Sequence, residues 1–175
     1  MIHLEEGFLD KVITNKGNSL SQLSKDNPVL LIFLRHFGCI FCREAMGDIS
    51  KIRGSIESRG VQIVFAHMAD VPTAEMYFNE MGLDGLEHIS DPSCKVYGAF
   101  GLVKGNFNQL YGLKVWIRGI ETRVKDSTSF SLKQIGDGLQ MPGVFFIIDD
   151  EIKQEFIHSR ISDRPDYSEL ISCCA

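Results

Sequence analysis

The first third of the chain contains two different patterns of hydrophobic and polar positions. Residues 29–34 are continuously apolar and lie between Pro28 and Gly38, which is typical of a short strand buried on both faces. Beyond residue 42 the apolar side chains recur at three- and four-residue steps, at Ala45, Ile49, Ile52 and Ile56. This second pattern predicts an amphipathic helix that ends near Gly60, where a glycine favours a C-cap.

Two further strand and helix pairs are predicted downstream. Residues 61–66 have the composition of a second core strand, and residues 72–81 are predicted to be helical, with Gly82 as the stop. A short extended segment at 87–90 precedes a helix that starts near Ser93. The order β-α-β-α-β-α is typical of a partly parallel sheet flanked by helices.

The C-terminal third of the chain predicts a hairpin and a closing helix. The predicted elements are a core strand at 144–148, a turn at 149–151, an antiparallel partner at 152–158 and a helix at about 165–173. Ser162 or Asp163 would cap that helix. Near the N-terminus, residues 12–14 predict a short strand followed by a tight turn.

Residues 100–140 interrupt this order and predict a helical insertion. Asn106 is a candidate N-cap for a helix whose apolar stripe runs to Val124. Glycine recurs every seven residues along nearly one face of this helix, at Gly105, Gly112 and Gly119. Because glycine weakens a helix, its repeated use suggests close approach of another backbone, from the parent sheet or from a partner subunit in a homodimer. Residues 127–138 predict a mobile loop.

Composition and charge limit the class of protein. With 175 residues, of which 44% are hydrophobic and 23% charged, the chain predicts a single domain over 1–175. A net charge of −5 argues against non-specific nucleic-acid binding. The N-terminus lacks the pattern of a signal peptide, and no apolar stretch has the length of a membrane span, which predicts a cytoplasmic protein without membrane partners. In a reducing compartment, five cysteines indicate chemistry or core packing rather than a disulfide framework.

Cys39 and Cys42 form a Cys-x-x-Cys pair where the first core strand gives way to the helix. The first turn of a helix has unpaired N–H groups and the positive end of the peptide dipole, so a cysteine there ionises more easily. A two-residue gap lets the second sulfur attack a disulfide formed by the first. We therefore predict thiol–disulfide exchange, with Cys39 as the attacking thiolate and Cys42 as the resolving thiol.

Other interpretations of this segment remain open. His36 stands three residues before Cys39, so the segment offers three ligands of a zinc site, although a structural site usually needs four. The pair could also be two ordinary buried cysteines without chemistry. His36 is a candidate for tuning Cys39, or it satisfies a local hydrogen bond. Arg43 is a candidate for stabilising the thiolate, or it is simply solvated.

The order of elements resembles the thioredoxin fold. The shared features are a strand followed by Cys-x-x-Cys and a helix, two further β/α steps, and a proline that opens a strand paired with a hairpin partner. In thioredoxin-like proteins that proline is cis and faces the reactive thiol, and Met141-Pro142 resembles that position. The resemblance implies an α/β thioredoxin-like fold with a mixed central sheet flanked by helices, in which Pro142 shapes the substrate-binding edge.

Six segments carry a closer resemblance. They are Phe33-Leu34-Arg35, Gly38-Cys39-Ile40-Phe41-Cys42-Arg43-Glu44, Trp116-Ile117-Arg118-Gly119, Gly136-Asp137-Gly138-Leu139-Gln140, Phe146-Ile147-Ile148-Asp149 and Asp163-Arg164-Pro165-Asp166-Tyr167. These segments are similar to those of peroxiredoxin-like proteins of the alkyl hydroperoxide reductase/thiol-specific antioxidant (AhpC/TSA) group. The resemblance implies antioxidant or disulfide-exchange activity without a metal or organic cofactor. Electrons would come from thioredoxin, glutaredoxin or small thiols.

The chain departs from typical peroxiredoxins at positions that handle the peroxide. Those proteins carry Pro-x-x-x-Thr-x-x-Cys, whereas here Cys39 stands three residues before Cys42, and neither thiol has the threonine. The arginine that typical peroxiredoxins place before the Phe-Ile-Ile-Asp strand falls at Gly143. Cleavage of a peroxide needs stabilisation of the leaving oxygen, for which Arg35 and Arg43 are the remaining candidates.

Three functions follow, in order of preference. The first is a peroxiredoxin-like thiol–disulfide oxidoreductase that acts through Cys39 and Cys42. The second is a thiol-dependent peroxidase that reduces hydroperoxides with the same pair. The third is a non-enzymatic binding module based on residues 104–125, which carry a net charge of +4. For three further thiols, structural and resolving roles both stay open: Cys94, Cys173 and Cys174.

Overall fold

The computed structural model describes residues 2, 4–105 and 137–172. Within these residues the chain forms a five-stranded sheet with strands β1 (Val29–Phe33), β2 (Gln62–His67), β3 (Glu87–Ser90), β4 (Gly143–Ile148) and β5 (Glu151–Ile157). The spatial order is β3-β2-β1-β4-β5. Strands β1, β2 and β3 are parallel, whereas β4 runs antiparallel to both β1 and β5. The predicted mixed sheet is therefore confirmed.

Helices pack on both faces of this sheet. The described ones are a 3₁₀ turn at Leu9–Lys11 and the α-helices α1 (Leu20–Asp26), α2 (Ile40–Glu57), α3 (Val71–Glu80), α4 (Lys95–Ala99) and α5 (Tyr167–Leu170). Helix α3 begins where the Thr73 N–H donates to the Asp70 carboxylate, and Pro72 occupies its first turn, where a missing N–H costs nothing. The helices predicted after β1 and β2 are confirmed to within a few residues.

The closing helix is shorter than the sequence predicts. Helix α5 spans only Tyr167–Leu170, and the side chain of Asp166 accepts hydrogen bonds from N–H groups of its first turn. Neither Ser162 nor Asp163 is its cap. The Asp163 carboxylate instead accepts the Arg160 N–H at 2.7 Å and closes the preceding turn, which delays the start of the helix.

The predicted strand at residues 12–14 is reduced to one isolated antiparallel bridge between Ile13 and Ser19. The tight turn that follows is confirmed, because the Thr14 N–H donates to the Asn18 carbonyl at 3.0 Å. The 3₁₀ turn ends at Lys11 and α1 begins at Leu20, directly after Ser19, so these helical segments leave no room for a longer ladder.

Burial on both faces explains the continuous apolar run of β1. Leu30 and Ile32 belong to a core formed with α2, α3 and α5, whereas Leu31 and Phe33 belong to a second core formed with α1 and α4. All five residues of β1 are buried. The carboxyl end of β1, from which the Cys-x-x-Cys segment emerges, is therefore held by close packing from both sides.

Much of the predicted helical insertion at 100–140 lies outside the described residues. The same holds for the Asn106 cap, most of the glycine repeat, most of the predicted loop, and the thiols of Cys173 and Cys174. The two ends of the insertion meet at an antiparallel bridge between Lys104 and Gln140. The single domain over 1–175 and the homodimer stay predictions. In the described parts of the chain, no helix combines the length and apolar composition needed to cross a bilayer.

Candidate functional site

Cys39 and Cys42 lie at the amino end of α2, just beyond the carboxyl end of β1. Cys39 is the N-cap of the helix, with φ −80° and ψ 124°, and its carbonyl accepts the Arg43 N–H at 3.0 Å. Cys42 lies in the first turn of α2, whereas Cys39, whose backbone is extended, comes directly before that turn. Both side chains are buried, with exposed fractions of 6% for Cys39 and 4% for Cys42.

The two thiols ionise differently because they are hydrogen-bonded to each other. The hydrogen bond from Cys42 lowers the pKa of Cys39 to about 6, although burial opposes this shift. The charge of Arg35 and the N–H groups of Phe41 and Cys42 lower the pKa of Cys39 further. The pKa of Cys42 lies well above its ordinary value, because its thiol is hydrogen-bonded to Cys39 and because the side chain is buried. At neutral pH the pair therefore holds one thiolate, on Cys39, and one thiol, on Cys42.

A buried cation lies beside the thiol pair. Arg35 is 6% exposed, and its backbone N–H donates to the sulfur of Cys42 at 3.2 Å. Its Nη2 lies 3.2 Å from Nε2 of His36, whose pKa is lowered to about 4 by burial and by the charge of Arg35. Neutral His36 thus accepts a hydrogen bond from the guanidinium. Nε and Nη1 of Arg35 have no hydrogen-bond partner among the described residues.

The thiol pair faces a narrow cleft. The cavity has a volume of about 30 Å³, and roughly 10–15 Å³ of such volume holds one water molecule. Side chains from both halves of the chain line it, including those of Arg35, Cys39, Cys42, Pro142, Ile161 and Arg164. The structure therefore brings together three of the four predicted site residues, Cys39, Cys42 and Pro142.

Pro142 is buried and lines the cleft, but its peptide bond differs from the expectation. No cis peptide bond occurs in the part of the chain that the structure describes, so the expectation of a cis Met141–Pro142 bond is wrong. The Met141 N–H donates to the Val103 carbonyl at 3.2 Å as the chain runs from the bridge at Gln140 into β4. A trans bond keeps this segment extended.

Arg43 and Cys94 lie apart from the cleft lining. Arg43 is half-buried in the first turn of α2, and the buried cation that lowers the pKa of Cys39 is Arg35. Cys94 is the N-cap of α4, and its thiol donates to the sulfur of Met68 at 3.3 Å. Burial raises the pKa of Cys94, so it is a poorer nucleophile than Cys39 at neutral pH. The catalytic role predicted for Arg43 stays a prediction.

The sequence did not reveal the ionic contacts that join the C-terminal segment to α2. Arg164 lies in the cleft wall, with Nη1 3.2 Å from the carboxylate of Glu44 and Nη2 hydrogen-bonded to that of Asp48. Both carboxylates belong to α2, so Arg164 fastens the segment before α5 across the helix that carries Cys42. The similarity of residues 163–167 to a known segment was the available signal, but it did not reveal this contact.

Metal binding gains no geometric support from this arrangement. Within the described ranges, no group of three or more His, Cys, Asp or Glu side chains is arranged to hold a metal ion. The sulfurs of Cys39, Cys42 and Cys94 are free thiols. The arrangement is that of an acid and a nucleophile that differ in pKa and line the same cleft, which is suited to covalent sulfur chemistry.

A mixed sheet with helices on both faces and a paired-thiol site at a helix N-terminus is typical of a thioredoxin-like protein. The profile of the AhpC/TSA family matches residues 10–154. The chain therefore belongs to the AhpC/TSA family, as its sequence predicts.

Solved peroxiredoxin structures share this fold. A mutant of peroxiredoxin Q from Xanthomonas campestris superposes with a TM-score of 0.66 at 14% identity, over 93% of this chain and 89% of that chain. A mutant of peroxiredoxin 6 from Arenicola marina gives a TM-score of 0.64 at 16% identity, over 97% and 70% of the two chains. The predicted α/β thioredoxin-like fold is confirmed by these likenesses.

Relatives with higher identity match shorter segments. The chloroplastic thioredoxin-like protein AAED1 of Arabidopsis thaliana is 29% identical over 97 residues, which is 54% of this chain and 39% of that protein. The prostamide/prostaglandin F synthase of Xenopus tropicalis is 29% identical over 121 residues, which is 69% of this chain and 55% of that protein. The chain thus spans less than two thirds of the length of these relatives.

Proposed function

We propose that this protein is a thiol-dependent oxidoreductase that reduces small hydroperoxides with the Cys39–Cys42 pair. The observation that carries the proposal is the placement of two buried thiols at the N-cap and in the first turn of α2, where both line one cleft. Their interaction lowers the pKa of Cys39 and raises that of Cys42. A thiolate is the form of cysteine that attacks a peroxide, and an adjacent protonated thiol can then close a disulfide.

The reaction proceeds in three steps. The Cys39 thiolate attacks one oxygen of ROOH, the O–O bond breaks, and Cys39 becomes a sulfenic acid while RO⁻ leaves and takes a proton from solvent as ROH. The sulfur of Cys42 then attacks the sulfenic sulfur and forms the Cys39–Cys42 disulfide, while the thiol proton of Cys42 and the sulfenic hydroxyl leave together as one water molecule. Two equivalents of an external thiol reduce that disulfide and leave as the oxidised disulfide.

The dimensions of the cleft favour a small substrate. Cys39 is 6% exposed, and the cavity has a volume of about 30 Å³. At roughly 10–15 Å³ for each water molecule, this volume holds little more than two water-sized molecules. A hydroperoxide group fits this space. A protein of similar fold also supports a peroxide substrate, since the bacterioferritin comigratory protein of Xanthomonas campestris has alkyl peroxide reduction activity.

Thiol–disulfide exchange as the outward activity is the second candidate, and the sequence ranked it first. The lowered pKa of Cys39 supports it, because the same thiolate attacks disulfides. Exchange also returns the oxidised pair to the dithiol, so this chemistry is needed in either case. Thioredoxin, glutaredoxin and small thiols remain the proposed electron donors, in a reducing compartment such as the cytoplasm.

Consumption of hydrogen peroxide with dithiothreitol as the reductant tests this proposal, run beside reduction of oxidised glutathione. We expect turnover of peroxide by the wild-type protein, loss of turnover in Cys39→Ser, and retention in Cys94→Ser, whose sulfur lies outside the cleft lining. Peroxide turnover no greater than that of Cys39→Ser would contradict the peroxidase proposal. Glutathione disulfide reduction alone would establish the exchanger instead.

A further inference from the structure

The guanidinium of Arg35 is a buried positive charge, and some of its donors have no partner among the described residues. The side chain is 6% exposed, and among the described residues no carboxylate forms an ion pair with it. Of its five N–H groups, one on Nη2 is directed at neutral His36, while Nε and Nη1 have no partner there. A buried charge with unsatisfied donors is costly, so its persistence calls for an anion at this place.

Two anionic groups interact with the charge of Arg35, but neither accepts a hydrogen bond from its Nε or Nη1. Asp137 is influenced by the charge of Arg35, but its carboxylate is 2.7 Å from Nζ of Lys104 and is therefore already paired. The Cys39 thiolate is stabilised by Arg35 through its charge, yet the side-chain hydrogen bond that it receives comes from Cys42. In the part of the chain that the structure describes, nothing accepts from Nε and Nη1 of Arg35, which lines the cleft.

The second anion of the reaction forms in the same cleft. When a thiolate cleaves an O–O bond, the negative charge moves from the sulfur to the leaving oxygen. Donors that are fixed before the reaction and kept away from water stabilise such a developing charge strongly. The hydrogen bond to His36 and the surrounding packing fix Arg35, and its burial keeps it away from bulk water.

We infer that Arg35 is a catalytic residue whose guanidinium donates hydrogen bonds to the leaving oxygen of the peroxide as Cys39 attacks. This inference rests on the proposed peroxidase function and adds a residue to it. Gly143 cannot offer a side chain instead, since a Cβ built there would lie 2.7 Å from Cδ2 of Leu102. The positive group is therefore supplied from the segment after β1 rather than from the start of β4.

The test compares two reactions of Cys39 that differ in the leaving group. Reaction with hydrogen peroxide and alkylation by iodoacetamide are followed from pH 5 to pH 10 in wild type, Arg35→Gln and Arg35→Lys. The plateau at high pH gives the rate constant of the fully formed thiolate in each case. Iodide needs no hydrogen-bond donor, so the ratio of the two plateaus isolates stabilisation of the leaving oxygen.

We expect Arg35→Gln to raise the pKa of Cys39, to leave the alkylation plateau within about threefold, and to lower the peroxide plateau by about 100- to 1000-fold. Arg35→Lys keeps a charge without the planar fork, so it should retain more of the lowered pKa and still lose at least about tenfold in the peroxide plateau. The matched control is Arg53→Gln, which removes a cation paired with Glu57 elsewhere on α2, and it should change neither plateau.

Equal changes in the two plateaus of Arg35→Gln, or no change in either, would overturn the inference and limit Arg35 to stabilising the thiolate. Thermal unfolding shows whether each variant is folded. If Arg35→Gln does not fold, the ratio of the two plateaus in Arg35→Lys decides whether Arg35 stabilises the leaving oxygen. A wild-type peroxide plateau no higher than that of free cysteine would instead remove the proposed function itself, so the two failures are distinguishable.

Discussion

The thiol of Cys42 donates a hydrogen bond to the sulfur of Cys39, and this contact makes one cysteine an anion and the other an acid. The division arises mainly between two residues that lie three positions apart at the start of one helix, and the charge of Arg35 adds to it. Both residues line the same cleft, so the resolving sulfur lies on the same side of the helix start as the sulfur that reacts first.

Replacement of Cys42 separates its hydrogen bond from its redox role. Cys42→Ala removes the donor, so the pKa of Cys39 should rise from about 6 by roughly one unit or more. Cys42→Ser keeps a hydroxyl donor and should retain most of the lowered pKa, although neither variant can close the disulfide. The rate of alkylation by iodoacetamide as a function of pH measures both values, with wild type half-maximal near pH 6. Identical profiles for wild type and Cys42→Ala would be inconsistent with the hydrogen bond as the main cause.

The ion pairs of Arg164 are expected to limit access to Cys39 through the cleft. Arg164→Gln removes the link to Glu44 and Asp48, so the segment before α5 should open more often and Cys39 should be alkylated several-fold faster at pH 8. Because Arg164 is 44% exposed, the loss of stability should stay below about 1 kcal/mol. Lys51→Gln, an exposed position on the same helix, is the control. Unchanged alkylation of Cys39 would show that Arg164 does not restrict access.

Close packing at Gly143 predicts a stability effect with a matched control. A Cβ at Gly143 would lie 2.7 Å from Cδ2 of Leu102 and 3.2 Å from Cε2 of Phe145, so Gly143→Ala should lower the free energy of unfolding by about 1–3 kcal/mol. In α2, a Cβ at Gly54 would meet nothing within 4 Å, and Gly54→Ala should stabilise the helix by roughly 1 kcal/mol. Urea unfolding measures both. A neutral Gly143→Ala would show that Leu102 moves freely.

Buried histidines predict a loss of stability in mild acid. Burial lowers the pKa of His67 to about 3 and that of His158 to about 4, from an ordinary value of 6.5. Because the unfolded chain takes up these protons below pH 6.5 and the folded protein does not, stability is full above pH 6.5 and falls toward pH 4. For His67 the loss at pH 5 is on the order of 2 kcal/mol.

Urea unfolding at pH 7 and pH 5 measures this difference. Cys39→Ser is the appropriate background, because ionisation of Cys39 also changes stability between its lowered pKa of about 6 and its ordinary value of 9.0. Equal free energies of unfolding at the two pH values would contradict the assignment of the histidines as neutral buried groups.

The fold was predictable where local pattern decides it. The strand Glu87–Ser90 has the bounds that the sequence predicts, and the apolar run of β1 indicated burial on both faces. The start of the closing helix was not predictable, since Asp166, Asp163 and Ser162 are all acceptable caps. In the structure Asp163 accepts the Arg160 N–H of the preceding turn, and Asp166 caps the helix.

The two thiols of the site were predictable from the sequence, but the contacts around them were not. The apolar strand and the Cys-x-x-Cys motif lie in one short stretch of sequence, and this local pattern identified Cys39 and Cys42. The ion pair between Arg164 and Asp48 joins residues 116 positions apart, and no local pattern contains such a contact. The choice of Arg35 over Arg43 as the cation beside the thiolate likewise depends on how the segment after β1 turns into the cleft.

Identification of the first disulfide tests the central claim most directly. The fully reduced protein is mixed with one equivalent of hydrogen peroxide, quenched by alkylation after a single turnover, digested, and its cysteine peptides are identified by mass spectrometry. Cys42 is hydrogen-bonded to Cys39, whereas Cys94 lies outside the cleft lining, so Cys42 should reach the oxidised sulfur first. We predict a Cys39–Cys42 link as the main product, with Cys94 alkylated. An unoxidised Cys39, or a link from Cys39 to Cys94, Cys173 or Cys174, would contradict the assignment.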